Sequence, residues 1–415
     1  MVRFLIPISA LLLSDALLLV GHGLLLTFLP IAAQKTGLSD TQVALTGSAY
    51  FLGFVGGCLI TPFIVRRVGH IRSFAILATS YSAVILVFPL ISVFAAWLLL
   101  RFLVGLAIAG LYMIIESWLN ERSTLESRGT ILSIYTVINL LMITVGQQLL
   151  NLVGTDNYNL FSLAAILLSL AIIPVSLTLS LAPAPIQKVS IDLPKIWQLS
   201  AVGFGGAVFS GLVSGAFWSL GPIYARTEGF DSFQLTIFMS AVVFGGAIFQ
   251  LPIGRLSDNY ERRIVVFFCA FFAGLISLLM VLLPQLLSHF DHWLFITLAF
   301  FWGGAVMTQY AICLAHANDG ALPDDFVMVG SGMLLTTGFC SALGAPLASL
   351  SMKVFGAPGL FVFSSFCMFL FALAIIIRRS THELPAEIQS EDFRAVAETT
   401  TPAAYEMDPR NKEIP

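Results

Sequence analysis

Twelve stretches of this chain are each long and apolar enough to cross a lipid bilayer as a helix, which takes roughly 20 residues at 1.5 Å each. They lie near 5–32, 43–65, 73–94, 96–118, 130–153, 160–182, 199–225, 233–253, 264–284, 293–315, 327–352 and 359–377. A soluble domain needs a polar shell, and here 58% of the 415 residues are hydrophobic and only 10% charged, so the bilayer is the solvent. The first run follows Arg3, is longer than a signal-peptide core and lacks a cleavage site, and it reads as a retained span. Five cysteines (Cys58, Cys269, Cys313, Cys340, Cys367) all fall inside apolar runs without metal-type spacing, which makes them packing residues and argues against disulfides, zinc or any metal.

Loop charge orients the runs. With the N-terminus inside, thirteen cations fall on inner loops: Arg3, Arg66, Arg67, Arg72, Arg122, Arg128, Lys188, Lys195, Arg255, Arg262, Arg263, Arg378 and Arg379. Lys35, Arg226 and Lys353 fall outside. Cytoplasmic loops retain Lys and Arg, so both termini are expected in the cytoplasm.

The chain also repeats itself. Pro30, Ile31, Ala33, Gly37, Gln42 and Gly53 recur 192 positions later as Pro222, Ile223, Ala225, Gly229, Gln234 and Gly245. A repeat of this length in an apolar chain implies two homologous membrane halves. The expected organisation is an N-terminal six-helix bundle (1–182), a cytoplasmic connector (183–198), a C-terminal six-helix bundle (199–379) and a disordered cytoplasmic tail (380–415), the last because its sequence is polar and has no apolar period.

Two loops carry a signature. After the eighth run stands LPIGRLSDNYERR, and after the second PFIVRRVGHIR. Gly254, Asp258, Arg262 and Arg263 resemble the loop motif G-x-x-x-D-R-x-G-R-R of the major facilitator superfamily, while the first copy keeps Arg67 and Gly69 but has Pro62 and Arg66 where Gly and Asp are usual. Arg101 to Gly105 is similar to the family's R-x-x-x-G pattern in the fourth span, and Glu116-Ser117-Trp118-Leu119-Asn120 resembles its YcaD-type branch. The fifth-span Pro-Gly signature of antiporters is absent after Val145-Gly146-Gln147. The resemblance covers residues 1 to about 379. It implies an all-α membrane protein of twelve transmembrane helices in two pseudo-symmetric bundles, with spans one, four, seven and ten around a central cavity and the loop charges acting as a conformational latch.

In that latch Asp258 is expected to face the start of the fifth span near Arg128 when the inner side closes, a carboxylate being favoured beside unpaired helix N–H groups. Arg66 is expected to pair with Asp324 or Asp325 through an exchange of charge. The alternative is that these are solvated inner-loop charges.

Asp15, Arg101 and Glu116 are ionisable side chains well inside spans, where each costs about 2.5–3.5 kcal/mol unless it faces a cavity or a partner. Asp15 lies about 15 Å into the bilayer. A carboxylate that moves between wet and dry surroundings can load and release a proton, so Asp15, Glu116 and His22, two turns beyond Asp15, are candidate proton-coupling groups. Their bland readings are a structural hub for Arg101, an end-of-helix carboxylate for Glu116 and a packing histidine for His22. Arg101, Gln147, Gln148, Trp218, Trp302, Gln309 and Tyr310 are candidate cavity or substrate contacts, though aromatic residues are common in membrane helices for packing alone.

The function implied is a secondary active, proton-coupled transporter of a small amphipathic organic molecule working by alternating access. It would be a multi-pass monomer of the plasma membrane, the inner membrane in a Gram-negative cell, without cofactor or nucleic-acid partner. An uncoupled facilitator and a transporter-like receptor or sensor are the alternatives. A membrane enzyme is disfavoured because the chain carries no Ser-His-Asp set, H-E-x-x-H or nucleotide-binding glycine loop.

Overall fold

The computed structural model describes residues 8–123, 128–153, 159–177, 191–286, 291–322, 325–381, 393 and 396–405. Among the described residues, twelve helices are long and apolar enough to cross a membrane: α1 (Ser9–Lys35), α2 (Asp40–Val68), α3 (His70–Leu90), α4 (Phe94–Glu121), α5 (Thr130–Leu152), α6 (Asn159–Ser176), α7 (Ala201–Thr227), α8 (Ser232–Asn259), α9 (Arg262–Pro284), α10 (His292–Asp319), α11 (Phe326–Phe355) and α12 (Gly359–Ser380). The sixth is shorter than its apolar run. It is interrupted at Ala171, three residues before Pro174, which removes a backbone donor and crowds the preceding turn.

The repeat in sequence becomes a repeat in packing. In the first half α1 packs on α5 and α6, α2 on α4, and α3 on α4 and α6; in the second α7 packs on α11 and α12, α8 on α10, and α9 on α10 and α12. In lipid nothing apolar drives helices together, so close backbone approach must do it, and small residues permit it. A Cβ on Gly53 would meet the Phe102 carbonyl and one on Gly105 the Tyr50 carbonyl, while Gly245 and Gly303 stand in the same way against Phe300 and Val242. Gly23 against Ile143 and Gly146 against Val20 likewise correspond to Gly215 against Ser341 and Gly344 against Leu212.

The repeated turns are also equivalent. α1 and α7 end in a left-handed glycine, Gly37 at φ 89° and Gly229 at φ 83°. α2 and α8 then open on capping boxes, Ser39 with Gln42 and Asp231 with Gln234, which satisfy donors that a helix start leaves unpaired.

An even number of spans puts the start of α1 and the end of α12 on one side, called here the terminal face. The halves meet chiefly through α2 on α11 and α5 on α8, a pair of contacts that the pseudo-twofold exchanges. Their hydrogen bonds gather toward the opposite face: Thr41 to Ser349 at 2.8 Å, Ser48 to the Ala342 carbonyl at 2.5 Å, Gln148 to Ser240 at 2.8 Å and Asn151 to Thr236 at 2.8 Å. The halves are therefore joined at that face, and the cavity between them is approached from the terminal face.

Candidate functional site

The cavity walls come from both halves: His22, Tyr50, Arg101 and Tyr112 on one side, Trp218, Gly246, Gln250 and Met307 on the other. His22, Arg101, Asp15 and Glu116 are 3%, 4%, 0% and 1% exposed, so none faces lipid.

His22 organises the N-terminal wall. Its Nδ1 lies 2.7 Å from the Tyr81 hydroxyl and its Nε2 3.2 Å from that of Tyr50. Arg101 sits over the Tyr50 ring at 5.1 Å, an attraction between a cation and the electron-rich ring face. The Arg101 Nε is buried without a hydrogen-bond partner, and among the described residues no carboxylate pairs with the guanidinium. A buried guanidinium held by a ring face has donors left to offer a ligand.

The two carboxylates are linked through α5. Tyr135 donates its hydroxyl to Glu116 Oε1 at 3.2 Å. One end of the Asn139 amide faces acceptors only, and with its nitrogen turned toward them it donates to Asp15 Oδ2 at 2.7 Å and to the Tyr135 carbonyl at 3.0 Å. Asp15 Oδ1 has no partner. A polar thread thus runs from α1 through α5 to α4 inside an otherwise apolar bundle. Tyr135 and Asn139 were not singled out by sequence, although polar residues at i and i+4 on a membrane helix were a usable signal.

The tail corrects the expectation of disorder where it is described. Phe393 donates its N–H to Asp258 Oδ1 at 2.8 Å, and its ring covers Gly254. The Val396 carbonyl accepts from Gln250 Nε2 at 2.8 Å. Ala397 to Thr400 then form a tight turn, with Thr400 N donating to the Ala397 carbonyl at 3.0 Å and Ala397 N to Thr400 Oγ1 at 3.1 Å, and Glu398 and Thr399 at its tip line the cavity. Past the turn, Glu116 Oε2 accepts the Thr401 N–H at 2.9 Å and the Thr401 hydroxyl, and Ala403 and Ala404 are buried in a short helix, Pro402–Tyr405, packed on α4 and α11. The segment is too polar to build a core alone; the cavity supplies the acceptors and apolar walls that it lacks. Residues 382–392, 394–395 and 406–415 of the tail lie outside the described residues, as does the first half of the connector, 183–190.

Other candidates go elsewhere. Gln147 accepts from Ser240 at 2.9 Å beside the Gln148 bonds, so both belong to the closure between halves. Trp302 donates to Ser277 at 2.9 Å and Gln309 to Ser210 at 3.1 Å, and Tyr310 is fully buried, all within the C-terminal bundle. Trp218 and Arg101 do line the cavity.

The second-half loop folds into an ion network: Arg262 reaches Asp319 at 3.0 Å and Asp258 at 3.3 Å, and Arg379 reaches Glu261 at 3.2 Å. Arg263 is at the adjoining rim with His316 and Arg378. Contrary to the latch expected for Arg66, Asp325 pairs with Lys195 at 2.8 Å, and Arg66 and Arg67 are exposed. With the terminal face open, loops of opposite halves stand apart, so Asp325 takes the nearest cation, on the short connector helix Leu193–Leu199. Asp324 lies outside the described residues.

Two inverted pairs of glycine crossings per half, a shared cavity and a seal at one face define a membrane carrier built from two homologous six-helix bundles. The chain belongs to the Major Facilitator Superfamily, whose description matches residues 11–202 and 203–406, one stretch per half. It is 26% identical over 378 residues to proteins named uncharacterized MFS-type transporter YcaD from Escherichia fergusonii and Escherichia coli K12, covering 91% of this chain and 96% of each relative. Among solved structures it resembles the nucleoside transporter NupG (TM-score 0.73, 13% identity, 90% of this chain and 99% of that one). It also resembles a bacterial homologue of the human lysosomal transporter Spinster in an inward-facing and occupied conformation (TM-score 0.69, 16%, 91% and 98%). A third is the human organic anion transporter MFSD10 (TM-score 0.58, 17%, 89% and 98%). The protein is thus a transporter of this superfamily.

Proposed function

We propose that the chain moves a small, largely apolar organic molecule bearing a hydrogen-bond acceptor or carboxylate, coupled to protons, by alternating access across the plasma membrane. The observation that carries the coupling is the pair Asp15 and Glu116, two buried carboxylates beside the cavity held by neighbouring residues of α5, Asn139 and Tyr135. Buried acids of this kind mark ion paths in membrane proteins, because lipid-enclosed charge is too costly to keep without use. His22 is held by two tyrosines at the cavity wall and adds a third protonatable group.

Substrate class follows from the walls. Arg101 offers unused donors, while Trp218 and Met307 face it with no charge. Of the substrates named for the solved relatives, an organic anion suits that arrangement better than a nucleoside. The thirteen-to-three distribution of Arg and Lys supports a cytoplasmic terminal face, and with it an inward-open reading of this conformation. A cavity lined by both halves of a single chain supports a monomeric carrier.

A panel of labelled organic acids and neutral amphipathic compounds, tested in vesicles with an imposed pH gradient, checks the reading. Gradient-driven flux should collapse with a protonophore and in Asp15→Asn and Glu116→Gln, while counterflow of unlabelled against labelled substrate persists. Flux indifferent to the protonophore and to Asp15→Asn would establish the uncoupled facilitator instead.

A further inference from the structure

We propose that the C-terminal segment Phe393 with Val396–Tyr405 is a plug for the transporter's own cavity, a built-in peptide occupant that holds the terminal face open and excludes substrate until it leaves. The inference rests on the transport reading only for what plugging does to function; the docking itself stands on contacts.

These contacts are specific and come from both halves. On α8 the segment uses Gln250, Gly254 and Asp258, spaced four residues apart and so stacked on one helix face. On α4 it uses Glu116, which receives two hydrogen bonds from Thr401 alone. Gly254 has a role here that the loop motif does not explain, because a side chain at that position would collide with the Phe393 ring.

Occupancy is nearly complete. With the turn inserted, the free volume left in the cavity is about 100 Å³, whereas sites for organic ligands are usually about 300–1,000 Å³. Peptide and substrate therefore compete for one space. The plug also blocks motion: closing the terminal face requires the halves to meet where residues 396–405 lie, and the Asp258 oxygen expected to meet the start of α5 already accepts the Phe393 N–H.

The test uses full-length protein in detergent, with the five native cysteines replaced and Met307→Cys introduced into the cavity wall. The readout is the rate of alkylation by a soluble maleimide. Thr401→Asp, which sets a second carboxylate against Glu116, and Ala404→Trp, which cannot fit a buried alanine site, should each raise the rate at least tenfold. Thr401→Ser should leave it slow. A synthetic peptide of residues 393–405, added to either fast variant, should restore protection. Equal rates in the native, Thr401→Asp and Ala404→Trp tails, or fast variants that the peptide does not protect, would overturn the plug. Alkylation needs no transported substrate, so failure of the transport assays would leave this result standing, and the reverse.

Discussion

Docking of the tail should weaken as pH rises, because of Glu398. Burial pushes this carboxyl up to about 8, against a smaller opposing pull from its hydrogen bond with Ser214 on α7. In a free, hydrated tail a glutamate titrates near about 4.3. The docked state therefore holds a proton that the free tail has released, so docking is at full strength below the free value and is lost as pH climbs through the docked one. Between pH 6 and pH 8 the docking constant should fall by at most about 50-fold, or about 2.3 kcal/mol, from linkage between those two values. Arg101, His22, Tyr50 and Tyr112 line the cavity that Glu398 enters, and Glu116 stands behind Thr401, so other groups can titrate too. Glu398→Gln isolates the one contribution: its docking should be flat relative to native over the same interval. A trifluoromethyl tag attached to Met307→Cys before the titration, read by fluorine NMR as separate docked and free signals, measures the ratio without the pH dependence of thiol reactivity entering the readout. Native and Glu398→Gln tails with the same pH slope, or docking that strengthens as pH rises, would refute the reasoning.

The helix crossings give a second prediction: Gly105→Val and Gly303→Val drive a side chain into the Tyr50 and Val242 carbonyls, costing about 1–3 kcal/mol or more, seen as lowered unfolding midpoints in detergent. Gly56→Ala, whose nearest neighbour would be the Phe102 ring at 3.6 Å, should be close to neutral. Arg262→Met leaves Asp319, 5% exposed, with only His316 Nδ1 at 4.0 Å beside it, and should cost up to about 3–5 kcal/mol; an unchanged unfolding midpoint would show that the pair is solvated. Thr41→Cys with Ser349→Cys replaces a 2.8 Å hydroxyl pair joining the halves. Oxidation should cross-link it, pin the opposite face shut and stop transport until a reductant is added, and cross-linked protein that still transports would contradict the assigned seal.

What could be read from the sequence was what lipid imposes on single helices. Run length gave twelve spans, because a helix must cover the hydrocarbon whatever its neighbours do. The 192-residue repeat marked Gly37 with Gly229 and Gly53 with Gly245, which the structure uses in equivalent turns and crossings. What could not be read was which way a side chain points. Helices that are apolar all round carry little amphipathic signal, so Trp302, Gln309 and Tyr310 looked like wall residues but turn into their own bundle, while Tyr135 and Asn139, uncharged, went unnoticed. The tail was opaque for a different reason. Its composition describes a segment that cannot fold by itself, and Thr401 finds its acceptor 285 positions away.

That distant contact joins the buried carboxylate Glu116 to the docked tail. Glu116 serves two partners at once, Tyr135 toward Asp15 and Thr401 of the tail, while Asp258 divides its carboxylate between Arg262 and Phe393. The tail therefore touches Glu116 of one half and the loop motif of the other, and in the plug proposal closure of the terminal face has to break both contacts. A segment that binds only the open state biases the equilibrium by the whole of its docking free energy: a docking constant of about 100 adds about 2.7 kcal/mol in favour of that state. Under the proposed coupling and the proposed plug, Glu116→Gln should therefore change both gradient-driven flux and the rate of tail release, and a variant that changes only one would separate the two proposals. If both proposals hold, Glu116 is the group on which coupling and gating would act together, since the same carboxylate accepts from Tyr135 and from Thr401.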